Sequence, residues 1–287
     1  MSNTLIAFNN RIDGATLSGG SWSGSLPLTN LQSRQLAKVA RSTGVTLANT
    51  LINADIGTDK LVRVIGLVNH NFSLTAKFRI RAGSDNTFAT AVVLDTGWLD
   101  IWPRVYASTS LDWQSLNWWG GRYSDEERAG VTPERFYVNT SSVNARYWRI
   151  EFDDTANTDT YVQIGRLFLG AGWQTKVNPQ YGGLSLGLES PTEIQTALSG
   201  AEYFDKRTSY RVARFSTEWM SESEGFDNAF EIQRQMGLDG EVVYIHDPDD
   251  TSQALRRQFL GRLRQLSPIE YPYMSLTKTA WEIRELL

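Results

Sequence analysis

The chain has 287 residues, no cysteine and a formal net charge of −4. Without cysteine there are no disulfides, no thiol catalysis and no thiolate metal sites. The mild acidity argues against a general nucleic-acid binder.

The N-terminus MSNTLIAFNNRIDG lacks the basic and apolar regions of a signal peptide. No apolar stretch approaches the ~20 residues of a membrane span. Residues 13–30 are rich in Gly and Ser and read as loop with one short strand. Leu47, Leu51 and Ile56 mark a first candidate strand region, and LVRVIGLV (61–68) a second, apolar enough to be buried. AKFRIRA (76–82) alternates, with Phe78 and Ile80 on one face and Lys77, Arg79 and Arg81 on the other. AVVLDTGW (91–98) is a further strand. Residues 99–145 lack periodicity and read as a long loop, functional or packed by its own side chains.

ARYWRIEFDDTANTDTYVQIGRLFLG (145–170) reads as a closing hairpin, two apolar-alternating strands around an Asp-rich turn. Asn178–Pro179 and Gly182–Gly183 then break regular structure, placing a domain boundary at 174/175. Beyond it, Thr208–Trp219 reads as a strand. Phe226, Ala229, Phe230, Gln233 and Met236 follow helical spacing, stopped by Gly237. EVVYIH (241–246), Phe259–Leu266 and Met274–Ile283 are strands, and Ser252–Arg257 one or two helical turns. The expected fold is mainly β: an N-terminal antiparallel β-sandwich over 1–174, then a smaller α+β domain over 175–287.

No pattern points to catalysis. His70 and His246 are the two histidines, and neither lies in a nucleophile or metal motif. His70, in NHN, reads as a turn residue. The acid pairs Asp125–Glu127, Asp153–Asp154 and Asp249–Asp250 fall in turns, where solvated carboxylates are the norm. A calcium loop starting at Asp247 fails, because Ser252 stands at the glycine position and Gln258 at the bidentate glutamate. No catalytic residue, metal site or cofactor is expected.

Aromatic residues carry the sharper signal. Of ten tryptophans, Trp98, Trp102, Trp113, Trp118 and Trp119 lie with Tyr123 in GWLDIWPRVYASTSLDWQSLNWWGGRY (97–123). These rings either pack their own loop, anchor a protein interface, or stack on sugars. Arg256, Arg257, Arg262 and Arg264 form a positive region, read either as solvated faces or as an intersubunit ion-pair network.

The N-terminal half resembles the discoidin-like, galactose-binding-like jelly roll through TLINADIGTDKLVRVIGLVNHN, AKFRIRAGS and ARYWRIEFDD…YVQIGRLFLG. With YGGLSLGL…RTSYRVARFSTEWM…GLDGEVVYIHDPDD…FLGRLRQLSP…AWEIREL following, the whole chain resembles distal-tail-like components of siphophage tail tips and baseplates. That resemblance implies a non-enzymatic virion protein, assembled in the host cytoplasm into a homo-oligomeric ring, a hexamer or trimer. Its neighbours would be the tail tube, tape-measure and tail-hub proteins. The C-terminal half would form the ring, and the jelly roll would project as a decoration that binds protein or host-surface glycan. Distal tail proteins place the ring domain first, whereas this chain reverses the order.

Overall fold

The computed structural model describes residues 2–89, 91–179 and 183–287; Gly182, one of the expected breakers, lies outside them. The fold is mainly β, with a large antiparallel sheet and a smaller helix-containing region. The N-terminal strands are β1 (Leu5–Phe8), β2 (Thr16–Ser18), β3 (Ala40–Arg41), β4 (Ile52–His70), β5 (Lys77–Gly83), β6 (Val92–Asp95), β7 (Leu99–Asp100), β8 (Glu134–Asp153) and β9 (Gln163–Gln174). Short helices α1 (Leu47–Thr50) and α2 (Asp125–Arg128) lie among them. After them come β10 (Ser185–Glu189), β11 (Glu193–Thr196), β12 (Glu202–Asp205), β13 (Tyr210–Ser221), α3 (Glu222–Glu224), α4 (Glu231–Met236), β14 (Glu241–Ile245), α5 (Ala254–Arg257), β15 (Gln258–Leu263), β16 (Glu270–Tyr273) and β17 (Leu276–Glu285).

Strand order across the sheet is β10-β13-β17-β15-β14-β1-β9-β4-β8-β5-β6. The first strand joins the two halves. Leu5 in β1 is registered with Gln174 of β9 on one side and Ile245 of β14 on the other. Backbone hydrogen bonding therefore runs unbroken past the expected boundary at 174/175.

Three cores result. Ile52, Ala54, Trp148, Ile150 and Phe152 belong to the core of the N-terminal half. Phe215, Ala229, Ile232 and Trp281 belong to that of the C-terminal half. A third lies at the seam, where Leu5, Ala7, Val64, Phe168, Val243 and Leu260 meet. Strand β4 shows how one strand serves two of them. Its start alternates, with Ile52, Ala54 and Ile56 inward and Asn53 and Asp55 outward. Past Gly57, at φ +81°, the register with β8 shifts, and from Val62 both faces are covered. Ile65 and Leu67 enter the N-terminal core, Val64 and Val68 the seam.

The structure corrects several expectations. Leu47 lies in α1, and the strand starts only at Ile52. The long loop ends at Pro133, because β8 begins at Glu134. Strands β8 and β9 are not a hairpin: β4 lies between them and pairs with both. The Asp-rich turn is tied to the loop after β4 instead. Asp154 accepts from the Ser73 backbone N–H (3.1 Å), and the Asn157 amide donates to the Asn71 carbonyl (3.1 Å). His70 is the last residue of β4, buried against Phe72 and Trp102 rather than placed in an open turn. Burial lowers its pKa to about 3, so the ring is neutral.

The C-terminal helix also differs. The Ser221 hydroxyl caps it by accepting from the Glu224 N–H, and it continues as a π-turn (Gly225–Phe230) into α4 before stopping at Gly237, φ +56°. Gly225 presses against β17, where an added Cβ would stand 2.4 Å from the Thr277 hydroxyl. This close approach and the extra residue of the π-turn rotate the stripe. Ala229, Gln233 and Met236 turn toward the sheet, whereas Phe226 and Phe230 are exposed.

Candidate functional site

Buried charge fixes the seam. Arg166, on β9, is fully buried and bridges Asp13 (2.5 Å) and Glu241 of β14 (2.6 Å), and it donates to the Leu31 carbonyl (3.0 Å). Arg211, on β13, bridges Glu285 of β17 (2.5 Å) and Glu134 of β8 (2.7 Å) and donates to the Leu255 and Gln258 carbonyls. Each guanidinium spans the two halves with several charge-assisted bonds at once, the bidentate geometry that arginine supplies and lysine does not. In the second cluster two carboxylates face one guanidinium. Burial pushes Glu134 up to about 7, opposed by Arg211 and reinforced by Glu285. A groove of about 570 Å³ opens beside this cluster, between Val131, Leu186, Leu188, Leu255 and Leu287.

The aromatic loop splits in two. Trp102 is only 4% exposed, donates from its indole N–H to the Phe72 carbonyl (3.1 Å), and lies under the Arg128 guanidinium at 5.3 Å. Tyr123 is buried and donates its hydroxyl to the Ser252 carbonyl (2.7 Å), tying the loop to the C-terminal half. These two present no face to a sugar or a partner, which corrects the expectation for them: their polar ends found acceptors inside. Gly121, at φ +58°, makes the tight return. A Cβ there would meet the Tyr106 carbonyl at 2.5 Å, and that backbone donates to Gly121 O. On this pinned frame Trp113 and Trp119 stand 75% and 84% exposed, with Leu116 between them. Trp118 packs edge-on against Trp119 (centroids 4.6 Å), and Trp98 is exposed before the loop.

The four C-terminal arginines are committed within the chain. Arg256 pairs with Glu127 (3.3 Å), Arg257 with Asp250 (3.3 Å), and Arg264 with Glu189 (2.8 Å) and Glu282 (3.1 Å). Arg262 donates to the Leu238 and Leu263 carbonyls. All four therefore have partners inside one chain. Arg256 joins the two halves, since Glu127 lies in α2.

Two exposed apolar features escaped the sequence reading. Among the described residues, strands β11 and β12 pair only with each other, and every residue of both is exposed. Ile194 faces Phe204 across this hairpin, next to Tyr203, and Leu198 sits at its tip. Arg207 holds its base through Glu193 (3.1 Å) and Asp205 (2.9 Å). The second feature is an aromatic patch. A register shift between Thr217 and Met220 puts Trp219 at φ +59° and turns its ring outward, where it stacks on Tyr273 (5.5 Å, 16°). Phe226 lies between Phe230 and Tyr271 beside it. The Phe226/Phe230 spacing was visible in the sequence, but spacing alone gave no sign of which side it faced.

The acid pairs are engaged locally. Glu127 closes a capping box with Ser124 and accepts from Tyr106, and Asp250 accepts from Ser252 and Gln253 ahead of α5. Among the described residues no group of three or more His, Asp or Glu could hold a metal ion, and no helix is long and apolar enough to cross a membrane.

The sequence matches no protein-family model and no curated protein. Several solved structures are similar to part of it. A carbohydrate-binding module of a family 31 glycoside hydrolase from Clostridium perfringens shares 8% identity over 57% of this chain and 99% of its own, with a TM-score of 0.38. The lectin-binding domain of lectinolysin, solved as a mutant with Lewis b, shares 17% over 56% and 95%, at 0.37. The family 32 module of NanJ from C. perfringens, solved with galactose, shares 11% over 57% and 98%, at 0.36.

Proposed function

We propose that the chain is a non-enzymatic assembly protein of a bacteriophage tail tip or baseplate, forming a homo-oligomeric ring between the tail tube and the receptor-binding tip. The β11–β12 hairpin carries this reading. A two-stranded hairpin is marginal in water on its own. This one exposes Ile194, Leu198, Tyr203 and Phe204 together, the chemistry of an arm completed by a neighbouring subunit. The buried seam makes the body a rigid base for such an arm. The likeness of the C-terminal segments to distal-tail-like proteins supplies the setting.

Light scattering and electron microscopy of the purified chain test it. Rings that revert to monomers when residues 190–209 are replaced by a short Gly-Ser turn are the expected result. A chain that stays monomeric at every concentration and is missing from particles overturns the reading.

A second reading is supported by Trp113 and Trp119, whose open faces on a pinned loop suit stacking on a host-surface glycan. Glycan-array binding that is lost in the Trp113→Ala, Trp119→Ala double variant is its signature. Arrays blank for the unaltered chain remove it.

A further inference from the structure

The C-terminal half carries a row of exposed rings. Trp219 stacks on Tyr273, and Tyr271 stands two residues before Tyr273 on β16. The Tyr271 ring is 6.4 Å from Phe226, and Phe226 is 6.0 Å from Phe230. All five rings are 40–60% exposed, and none belongs to the three cores. At roughly 6–7 Å per step the row is on the order of 20 Å long. Scattered exposed rings are ordinary, but five in one row form a contact patch.

Backbone irregularities aim the row outward. A bulky residue at the φ of +59° found for Trp219 is an outlier, and the bulge that holds it there is the kind of feature that re-aims a side chain. The π-turn over Gly225–Phe230 leaves Phe226 and Phe230 facing away from the sheet. Among the described residues β16 pairs only with β17, and Pro272 removes an N–H from its backbone. The strand is therefore a poor template for adding another strand, and its side chains are the contact surface.

The charge beside the rings has one sign. Residues 215–231 contain Glu218, Glu222, Glu224, Asp227 and Glu231 and no lysine or arginine. Lys176, Arg234 and Lys278, at the margins, are already paired with Glu224, Glu231 and Glu270. Glu218, Glu222 and Asp227 are exposed and form no ion pair with any described residue. Glu222 accepts the Tyr271 hydroxyl (3.0 Å), which places one of these unspent charges directly on the row.

We propose that the row docks an extended, arginine-bearing segment of a partner protein. A guanidinium stacks on Trp and Tyr faces and bonds carboxylates through its planar fork, so it uses both features at once. Alternate residues of an extended chain are about 7 Å apart, which matches the step between rings. A nucleic acid or an anionic membrane would meet three unneutralised carboxylates, and a wholly apolar partner would bury them unpaired. This surface goes beyond the assembly reading and does not depend on it.

Fluorescence anisotropy with the full chain tests the proposal. The probes are labelled, amidated peptides of four Arg-Thr repeats and their Lys-Thr and Glu-Thr counterparts. The arginine peptide binds with a Kd on the order of 0.1 mM, the lysine peptide about threefold more weakly, and the glutamate peptide not at all. Trp219→Gly, which accepts the positive φ without strain, weakens arginine-peptide binding about fivefold. Glu218→Gln combined with Asp227→Asn, both on the surface, weakens it by a similar factor, about fivefold, and Trp119→Ala leaves it unchanged. No binding of the arginine peptide, a lysine or glutamate peptide that binds as tightly, or an unchanged affinity in either patch variant would overturn the proposal. So would loss on Trp119→Ala, which moves the peptide to the aromatic loop. Self-association of the free chain that Trp219→Gly abolishes would also overturn it, by making a second copy the occupant. Failure of the assembly reading shows separately, in light scattering of the chain with residues 190–209 replaced.

Discussion

The seam and the β11–β12 hairpin use opposite chemistry for opposite ends. At the seam, Arg166 and Arg211 are buried, and the Arg166–Glu241 and Arg211–Glu134 bridges each cross from one half to the other. At the hairpin, apolar rings stand in solvent, and the ion pairs at Arg207 are exposed. Buried ion pairs add little net stability over well-packed apolar residues, yet breaking one is costly. They suit a joint that must keep one geometry. Exposed apolar surface contributes nothing to the isolated subunit and is useful only when covered. The chain is therefore rigid where its halves meet and unfinished where it projects.

The largest test of this contrast is Arg211→Ala. It strands Glu134 and Glu285 in the interior, and about 3–5 kcal/mol of stability should be lost in urea unfolding followed by tryptophan fluorescence. Arg166→Ala, which leaves Glu241 unpaired, should cost a similar amount. A loss under about 1 kcal/mol for both would mean the seam is not held by charge.

Glu134 gives a smaller, pH-dependent effect. Its folded pKa, about 7, is above the ordinary 4.5, so between those values the folded chain holds a proton that the unfolded chain has released. Its contribution is fully present below pH 4.5 and declines as pH rises to 7. Glu134→Gln cannot ionise, so the wild type should lose on the order of 1–3 kcal/mol relative to this variant across that window. Parallel stability profiles for the two proteins would refute the assignment.

At the hairpin, Ile194→Ser with Phe204→Ser should change stability by no more than about 0.5 kcal/mol, because both side chains are already exposed. The same pair should shift any oligomer toward monomer. Trp113→Ala should be the quietest change, within about 0.5 kcal/mol, with the thermal midpoint essentially unmoved.

Much of the fold was legible locally. The alternation in AKFRIRA (76–82) identified a strand with Phe78 and Ile80 on one face, and EVVYIH identified a strand, which the fold buries on both faces. The 145–170 segment was misread as a hairpin because alternation shows that strands exist and says nothing about which ones pair; a remote strand, β4, lies between them. The aromatic loop was found by composition, but Trp102 and Tyr123 could not be told from Trp113 and Trp119, since their fates hang on acceptors at Phe72 and Ser252. Arg166 gave a faint signal, a lone charge inside the apolar run QIGRLFLG, whereas Arg211 shares YRVARF with the exposed Arg214 and gave none.

By itself the sequence determined the strand-rich class, the absence of thiol chemistry and the aromatic wealth of residues 97–123, because periodicity and composition are local. The tertiary structure decided that β1 joins both halves into one sheet and that a guanidinium from each half crosses the seam. It also decided which rings face water. Those outcomes depend on contacts between residues tens to hundreds of positions apart, and only the closed fold makes them.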